Sequence, residues 1–312
     1  MNSLKHNNPQ ILHKNPWTSI FYLVLLFLAW NLISQLIGTG IAVVVSGVDF
    51  MDSQKLLEPP FGPKSKIFMY VAQGISHFLG FTLFALFFIK AMDKMSLKTY
   101  FNKKNLGLQP SILIVLTTFS FMIFNSIIIE WNMNIEFPEF MRGFGEWARN
   151  MEDRMMELTE LLSSYDSFGE MLIALVIIGV FPAIGEELVF RGLLQNKLQT
   201  ATKNVHLAIW ISAIIFGAFH LQFFGVVPRI LLGALFGYIY LCSGNIWYPI
   251  LAHFVNNGLA VLVMYFGPKY IDDFDATEVD TAVPIYVSVT GLFACLIFFR
   301  YFMNLTKGVA KE

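Results

Sequence analysis

Charge is what this chain has least of: Asp, Glu, Lys and Arg make up 14% of its 312 residues, while 56% are hydrophobic. A soluble domain carries about 25% charged and about 45–50% apolar residues, so a water-exposed globule is excluded and a polytopic membrane protein is indicated. Cysteine is nearly absent. Cys242 and Cys295 lie in apolar runs, which excludes a disulfide framework or a paired-cysteine metal site and leaves both as small hydrophobes. An excess of either charge is missing too. A net charge of −1 offers no basis for binding nucleic acid or a bulk acidic partner. There is no internal repeat, no low-complexity segment and no H-E-x-x-H. The first apolar run is long and lacks a small-residue cleavage site behind a short apolar core, so it reads as a retained span rather than a signal peptide.

Long hydrophobic runs are what the chain has in plenty. A helix needs about 20 apolar residues to cross a bilayer. By that measure about eight spans are expected, near 17–46, 67–92, 111–130, 168–199, 205–223, 228–243, 245–266 and 283–303. The fold class is therefore an all-α polytopic transmembrane bundle. Lys5, Lys14, Lys90, Lys94, Lys98, Lys103, Lys104, Lys197, Lys203, Arg300, Lys307 and Lys311 fall on one side of eight spans, and the acidic run from Asp272 to Asp280 on the other. The positive-inside rule then places both termini in the cytoplasm. The chain divides into a disordered tail (1–16), three spans (17–130), an extramembrane amphipathic segment (131–167), a core carrying the chemistry (168–303) and a C-terminal tail (304–312).

Ionisable groups at membrane depth are costly and mark functional sites. Two carboxylates, two imidazoles and an arginine occupy the late spans. Glu187 and Arg191 stand four residues apart on one helix face, the spacing of an ion pair. Glu186 is rotated about 100° away and is left free as a general base. Pro182 and Gly185 would bend or loosen this helix and admit water. His220 ends the fifth run. In the seventh, His253 and Asn257 share a face while Asn256 points elsewhere. Phe216, one turn before His220, reads as packing. Earlier in the chain Gln73 and His77 share a face and could line a cavity, although an interhelical hydrogen bond is the simpler expectation. Arg229 reads as snorkelling to the outer interface. Gly233, Ala234, Gly237 and Gly244 permit close helix approach.

The order Glu186-Glu187-x-x-x-Arg191, Phe216-x-x-x-His220, His253-x-x-x-Asn257 resembles the CPBP family, the CAAX proteases and bacteriocin-processing (ABI) enzymes, over roughly residues 168–266. The resemblance implies an intramembrane endopeptidase in a bacterial inner membrane, acting on a membrane-associated, CAAX-like peptide or protein. By it, Glu186 and His220 would activate water, His253 and Asn257 would stabilise the oxyanion, and Glu187 and Arg191 would brace the site. No cofactor is required by this chemistry. If zinc takes part, Glu186, His220 and His253 would supply its ligands. The competing readings are a non-catalytic immunity or scaffold protein and a proton-coupled transporter. The transporter is disfavoured because no inverted repeat or pair of broken helices is present.

Overall fold

A computed structural model describes residues 15–101, 106–271 and 283–307. Lys5, Lys14, Lys103, Lys104, Lys311 and the acidic run from Asp272 to Asp280 lie outside the described residues, as does most of each expected tail.

Helix α1 (Pro16–Ser46) begins where Asn15 accepts a hydrogen bond from the Trp17 amide and Pro16 takes a first-turn position, and it stops at Gly47 with φ 62°. The remaining helices are α2 (Pro63–Met92), α3 (Leu97–Phe101), α4 (Leu108–Met133), α5 (Arg142–Ser163), α6 (Phe168–Thr202), α7 (Val205–Phe219), α8 (Val226–Ser243), α9 (Trp247–Tyr270) and α10 (Ile285–Lys307). Among the described residues there is no strand.

Among the described residues seven helices are long and apolar enough to cross a membrane, where about eight were expected. The expected fifth span is shorter than its apolar run: α7 has 15 residues. It extends about 22 Å, short of a hydrocarbon layer about 30 Å thick. It stops because Leu221 takes φ 55°, a left-handed conformation that ends a helix. Inside an apolar layer a break of this kind is tolerated only if its backbone finds partners. Asn132, at the end of α4, supplies two: its Nδ2 donates to the Phe223 carbonyl (3.2 Å) and its Oδ1 accepts from the Val227 amide (3.0 Å). Helix α5 closes over the same turn. Arg149 lies 3.8 Å from the Phe224 ring centroid, Glu152 accepts from Gln222 (3.3 Å), and Arg229 donates to Gln222 (2.8 Å). Arg229 is thus tied into this network, where snorkelling was expected.

At the opposite end α2 and α6 are tied together by an ion pair. Asp93, just past α2, pairs with Lys197 of α6 at 2.6 Å. Gly244, with φ 59°, makes the turn from α8 to α9. Helices α6 and α8 lie side by side, with Arg191 donating to the Gly233 carbonyl (2.9 Å) and Gln195 to the Gly237 carbonyl (3.2 Å). A Cβ on Gly237 would stand 2.8 Å from Gln195 Oε1 and Ile209 Cγ2, so small residues are required there.

Wide, π-type turns interrupt α2 at Phe78–Leu83 and Phe88–Met92, and α6 at Leu175–Val180 and Leu188–Gln195. Such turns displace carbonyls from the regular ladder and are frequent at functional sites. Here side chains from neighbouring helices answer them. Trp30 Nε1 donates to the Leu79 carbonyl (2.9 Å), Asn31 Nδ2 to Gly80 (3.2 Å) and Ser212 Oγ to Phe190 (3.0 Å).

Candidate active site

Helix α6 carries Glu186, Glu187 and Arg191 into the bundle, all buried, with Glu187 at 0% and Arg191 at 1% exposure. The helical phase separates the two carboxylates. Glu187 Oε1 accepts from Arg191 Nη1 at 2.7 Å and from His253 Nδ1 at 2.8 Å. The second amino group of Arg191 bonds to Gly233, and its guanidinium lies 4.7 Å from the Phe216 centroid and 5.4 Å from that of Phe236. Every face of the cation is therefore engaged, which is what a charge at this depth requires. Phe216 does more than pack: it covers Arg191 and meets the His253 ring edge-on at 6.0 Å.

Glu186 faces the other way. Its Oε1 bonds to His77 Nε2 at 3.0 Å, and its Oε2 is buried without a hydrogen-bond partner, 3.9 Å from His253 Nε2. A polar separation of that size leaves the two atoms to be joined through a third group such as water. Because a carboxylate only accepts, the Nδ1 of His253 carries the proton given to Glu187, and Nε2 is the nitrogen presented to Glu186. The same logic fixes His220. Its Nδ1 donates to the Phe216 carbonyl at 3.0 Å, which leaves Nε2 free, and the ring lies within electrostatic range of Glu186.

Asn257 Nδ2 donates to the Ile178 carbonyl at 3.0 Å, and its Oδ1 accepts from Asn256 Nδ2 at 3.0 Å. The Ile178 carbonyl is the one four residues before Pro182, the partner a regular helix would give to the amide that proline lacks. Pro182 thus releases the acceptor that anchors Asn257 across the helix interface. Asn256 was expected to point elsewhere; instead it fixes the amide orientation of Asn257. Gly185 likewise differs from its expected loosening role. A Cβ there would stand 2.7 Å from Phe81 Cβ, so this glycine permits close packing of α2 on α6.

The tertiary structure adds His77, for which an interhelical hydrogen bond was expected ahead of a place lining a cavity. The bond exists, but its acceptor is the free carboxylate of the site. Gln73 and His77 sharing a face of α2 was the available signal, and nothing local linked it to Glu186, 109 residues away.

The resemblance names Glu186, His220 and His253 as the side chains that would hold zinc. Among the described residues no three His, Cys, Asp or Glu side chains are grouped to hold a metal ion, and Glu186 Oε1 is committed to His77. As arranged, these residues do not fit a zinc site, and no step below is routed through one.

Residues 168–259 match the family model described as type II CAAX prenyl endopeptidase Rce1-like, the CAAX protease family that the three motifs resemble. All seven motif residues fall inside the match; His77 falls outside it. Neither the curated proteins nor the solved structures yield a match. With seven membrane-length helices among the described residues, the chain is an integral multi-pass membrane protein, and its residues 168–259 are similar to the Rce1-like type II CAAX prenyl endopeptidases.

Proposed function

Taking the Rce1-like domain at residues 168–259 as premise, we propose that this protein is an intramembrane endopeptidase that hydrolyses a peptide bond in a membrane-associated substrate. One observation carries the reading. Glu186 presents a buried carboxylate oxygen with no partner, 3.9 Å from an imidazole nitrogen, inside an otherwise apolar bundle. A buried carboxylate so placed is suited to take a proton from water.

In the proposed reaction a water between Glu186 Oε2 and the Nε2 atoms of His220 and His253 loses a proton to Glu186 as its oxygen bonds to the substrate carbonyl carbon. The carbonyl oxygen gains the negative charge, and the amide N–H of Asn257 not used on Ile178, together with His253 when its Nε2 also carries a proton, offsets it. Collapse breaks the carbon–nitrogen bond, and the proton held by Glu186 passes to the leaving amine. Glu187 and Arg191 take no proton in this scheme. They hold His253 at its Nδ1 and keep the ring facing Glu186.

Water must reach a site the bilayer excludes it from, and the broken turn at Leu221 beneath α5 supports such a route. An apolar groove of about 310 Å³ between α2 and α6, lined by Ile67, Tyr70, Gly74, Ile177 and Phe181 among others, supports a lipid-attached substrate. Gly74 lies one turn from His77, so the groove approaches the site from the lipid side. The basic end of the bundle, with Lys197 and Lys203, is proposed to face the cytoplasm of a bacterial inner membrane.

The test is cleavage of a lipid-anchored peptide by the purified protein in vesicles. Glu186→Gln keeps size and hydrogen bonding but removes the base, and it should lower kcat by about 10²–10⁴-fold. Full activity in that variant would remove the proposal. Proton flux lost with the same substitution, in a protein that never cleaves, would support a transporter instead.

A further inference from the structure

We infer that His77, on α2 and outside the family-matched segment, is a positioning residue of the active site: its N–H holds Glu186 Oε1 so that Oε2 is the oxygen directed at water. The inference rests on the proposed role of Glu186 as base.

Four observations converge on it. His77 Nε2 lies 3.0 Å from Glu186 Oε1, and a carboxylate can only accept, so the imidazole donates. The two oxygens of Glu186 are thereby made unequal, one bonded and one buried without a partner. The His77 ring is itself held: it stacks on Phe81 with centroids 4.3 Å apart and planes 6° from parallel. Finally, Phe81 is seated against the backbone of the residue before Glu186, because Gly185 has no side chain to keep it away.

The chain of contact is therefore Gly185 to Phe81 to His77 to Glu186, closed on itself across two helices. The wide turn at Phe78–Leu83 begins immediately after His77 and carries Phe81 against Gly185. Trp30 and Asn31 of α1 donate to its Leu79 and Gly80 carbonyls. The first two spans thus complete a site whose named motifs all lie later in the sequence. A glutamate has three side-chain torsions, and a buried one without a donor on either oxygen would both lose its preferred orientation and resist staying charged.

The experiment is a set of variants in the same vesicle cleavage assay, run beside Glu186→Gln. His77→Leu removes the donor and should lower kcat about 10- to 100-fold with KM unchanged, the value of one hydrogen bond to a charged group. His77→Gln retains an N–H donor of similar reach and should recover most of that loss. Gly185→Ala leaves His77 intact but displaces Phe81, and should lower kcat in the same way. Combined with His77→Leu it should add little, because both act through one contact. If His77→Leu does not accumulate in membranes, His77→Asn, too short to reach Glu186, takes its place in the cycle.

Three results would overturn the inference: unchanged kcat in His77→Leu, His77→Gln no better than His77→Leu, or losses that multiply in the double variant. Loss of activity in Glu186→Gln alongside full activity in His77→Leu would sink this inference and leave the base intact. Full activity in Glu186→Gln would instead sink the reading on which it rests.

Discussion

Replacing Arg191 by methionine removes a cation that is 1% exposed and leaves Glu187, at 0% exposure, without its charge partner. The substitution breaks the 2.7 Å bond to Glu187 and the 2.9 Å bond to the Gly233 carbonyl, and it removes the cation between Phe216 and Phe236. Breaking a buried pair from one side costs about 3–5 kcal/mol, mostly because the remaining charge is stranded. His253 still donates to Glu187 at 2.8 Å, so the lower part of that range is expected, about 3 kcal/mol. Removing both charges in Glu187→Gln/Arg191→Met should restore at least half of the loss, since no uncompensated charge then remains. Arg191→Lys should fall between, because an ammonium keeps the charge but cannot reach Glu187 and Gly233 together in a planar fork. The assay is the midpoint of unfolding in mixed detergent, followed by tryptophan fluorescence on the full chain. A loss below about 1 kcal/mol for Arg191→Met, or a double variant less stable than the single one, would refute the pairing argument.

Two further outcomes follow from the geometry. Asn257→Leu should lower kcat about 10²–10³-fold as the proposed oxyanion donor is lost. Pro182→Ala, by returning an amide to the Ile178 carbonyl, should compete with the Asn257 anchor and cut kcat several-fold without lowering the unfolding midpoint. Equal activity of Pro182→Ala and the wild type would show that the Ile178 carbonyl does not hold Asn257. At the extramembrane end, burial pushes the Glu152 carboxyl above its ordinary value, with Arg229 and Arg149 opposing and Asp153 assisting. A raised carboxyl pKa means the folded form holds its proton more tightly. Its contribution to α5 docking is therefore full below the unfolded pKa and is lost as pH rises through the folded one. Hydrogen-exchange protection in residues 142–163, corrected for the intrinsic pH dependence of amide exchange, should be greater at acidic pH in the wild type and lose that dependence in Glu152→Gln. The same pH dependence in both would show that Glu152 is not its source.

Much of this molecule was legible in order along the chain. Hydrophobic runs of about 20 residues are dictated by the bilayer itself, and seven of the eight expected spans are membrane-length helices. The fifth is shorter because run length measures apolarity, not where the backbone turns. Leu221 leaves the helix although nothing in its own side chain asks it to, and the turn is held by Asn132 from 91 and 95 residues away. The ion pair of Glu187 and Arg191 was readable because four residues make one turn of a helix, whatever surrounds it. The divergence of Glu186 from Glu187 was readable for the same reason.

What the sequence determined by itself was thus local or solvent-imposed: which segments are apolar enough to span, which side chains share a face, and which motifs follow one another. The tertiary structure alone decided which faces meet. It brought His77 to Glu186, gave the carbonyl released by Pro182 to Asn257, turned Asn256 onto Asn257, and seated Phe81 against Gly185. Apart from the Asn256–Asn257 bond between consecutive residues, each joins atoms on neighbouring helices whose relative placement depends on packing and on wide turns that shift phase. Helical periodicity fixes angles about one axis. It carries no information about how two axes are set against each other, and the candidate site is built at that setting.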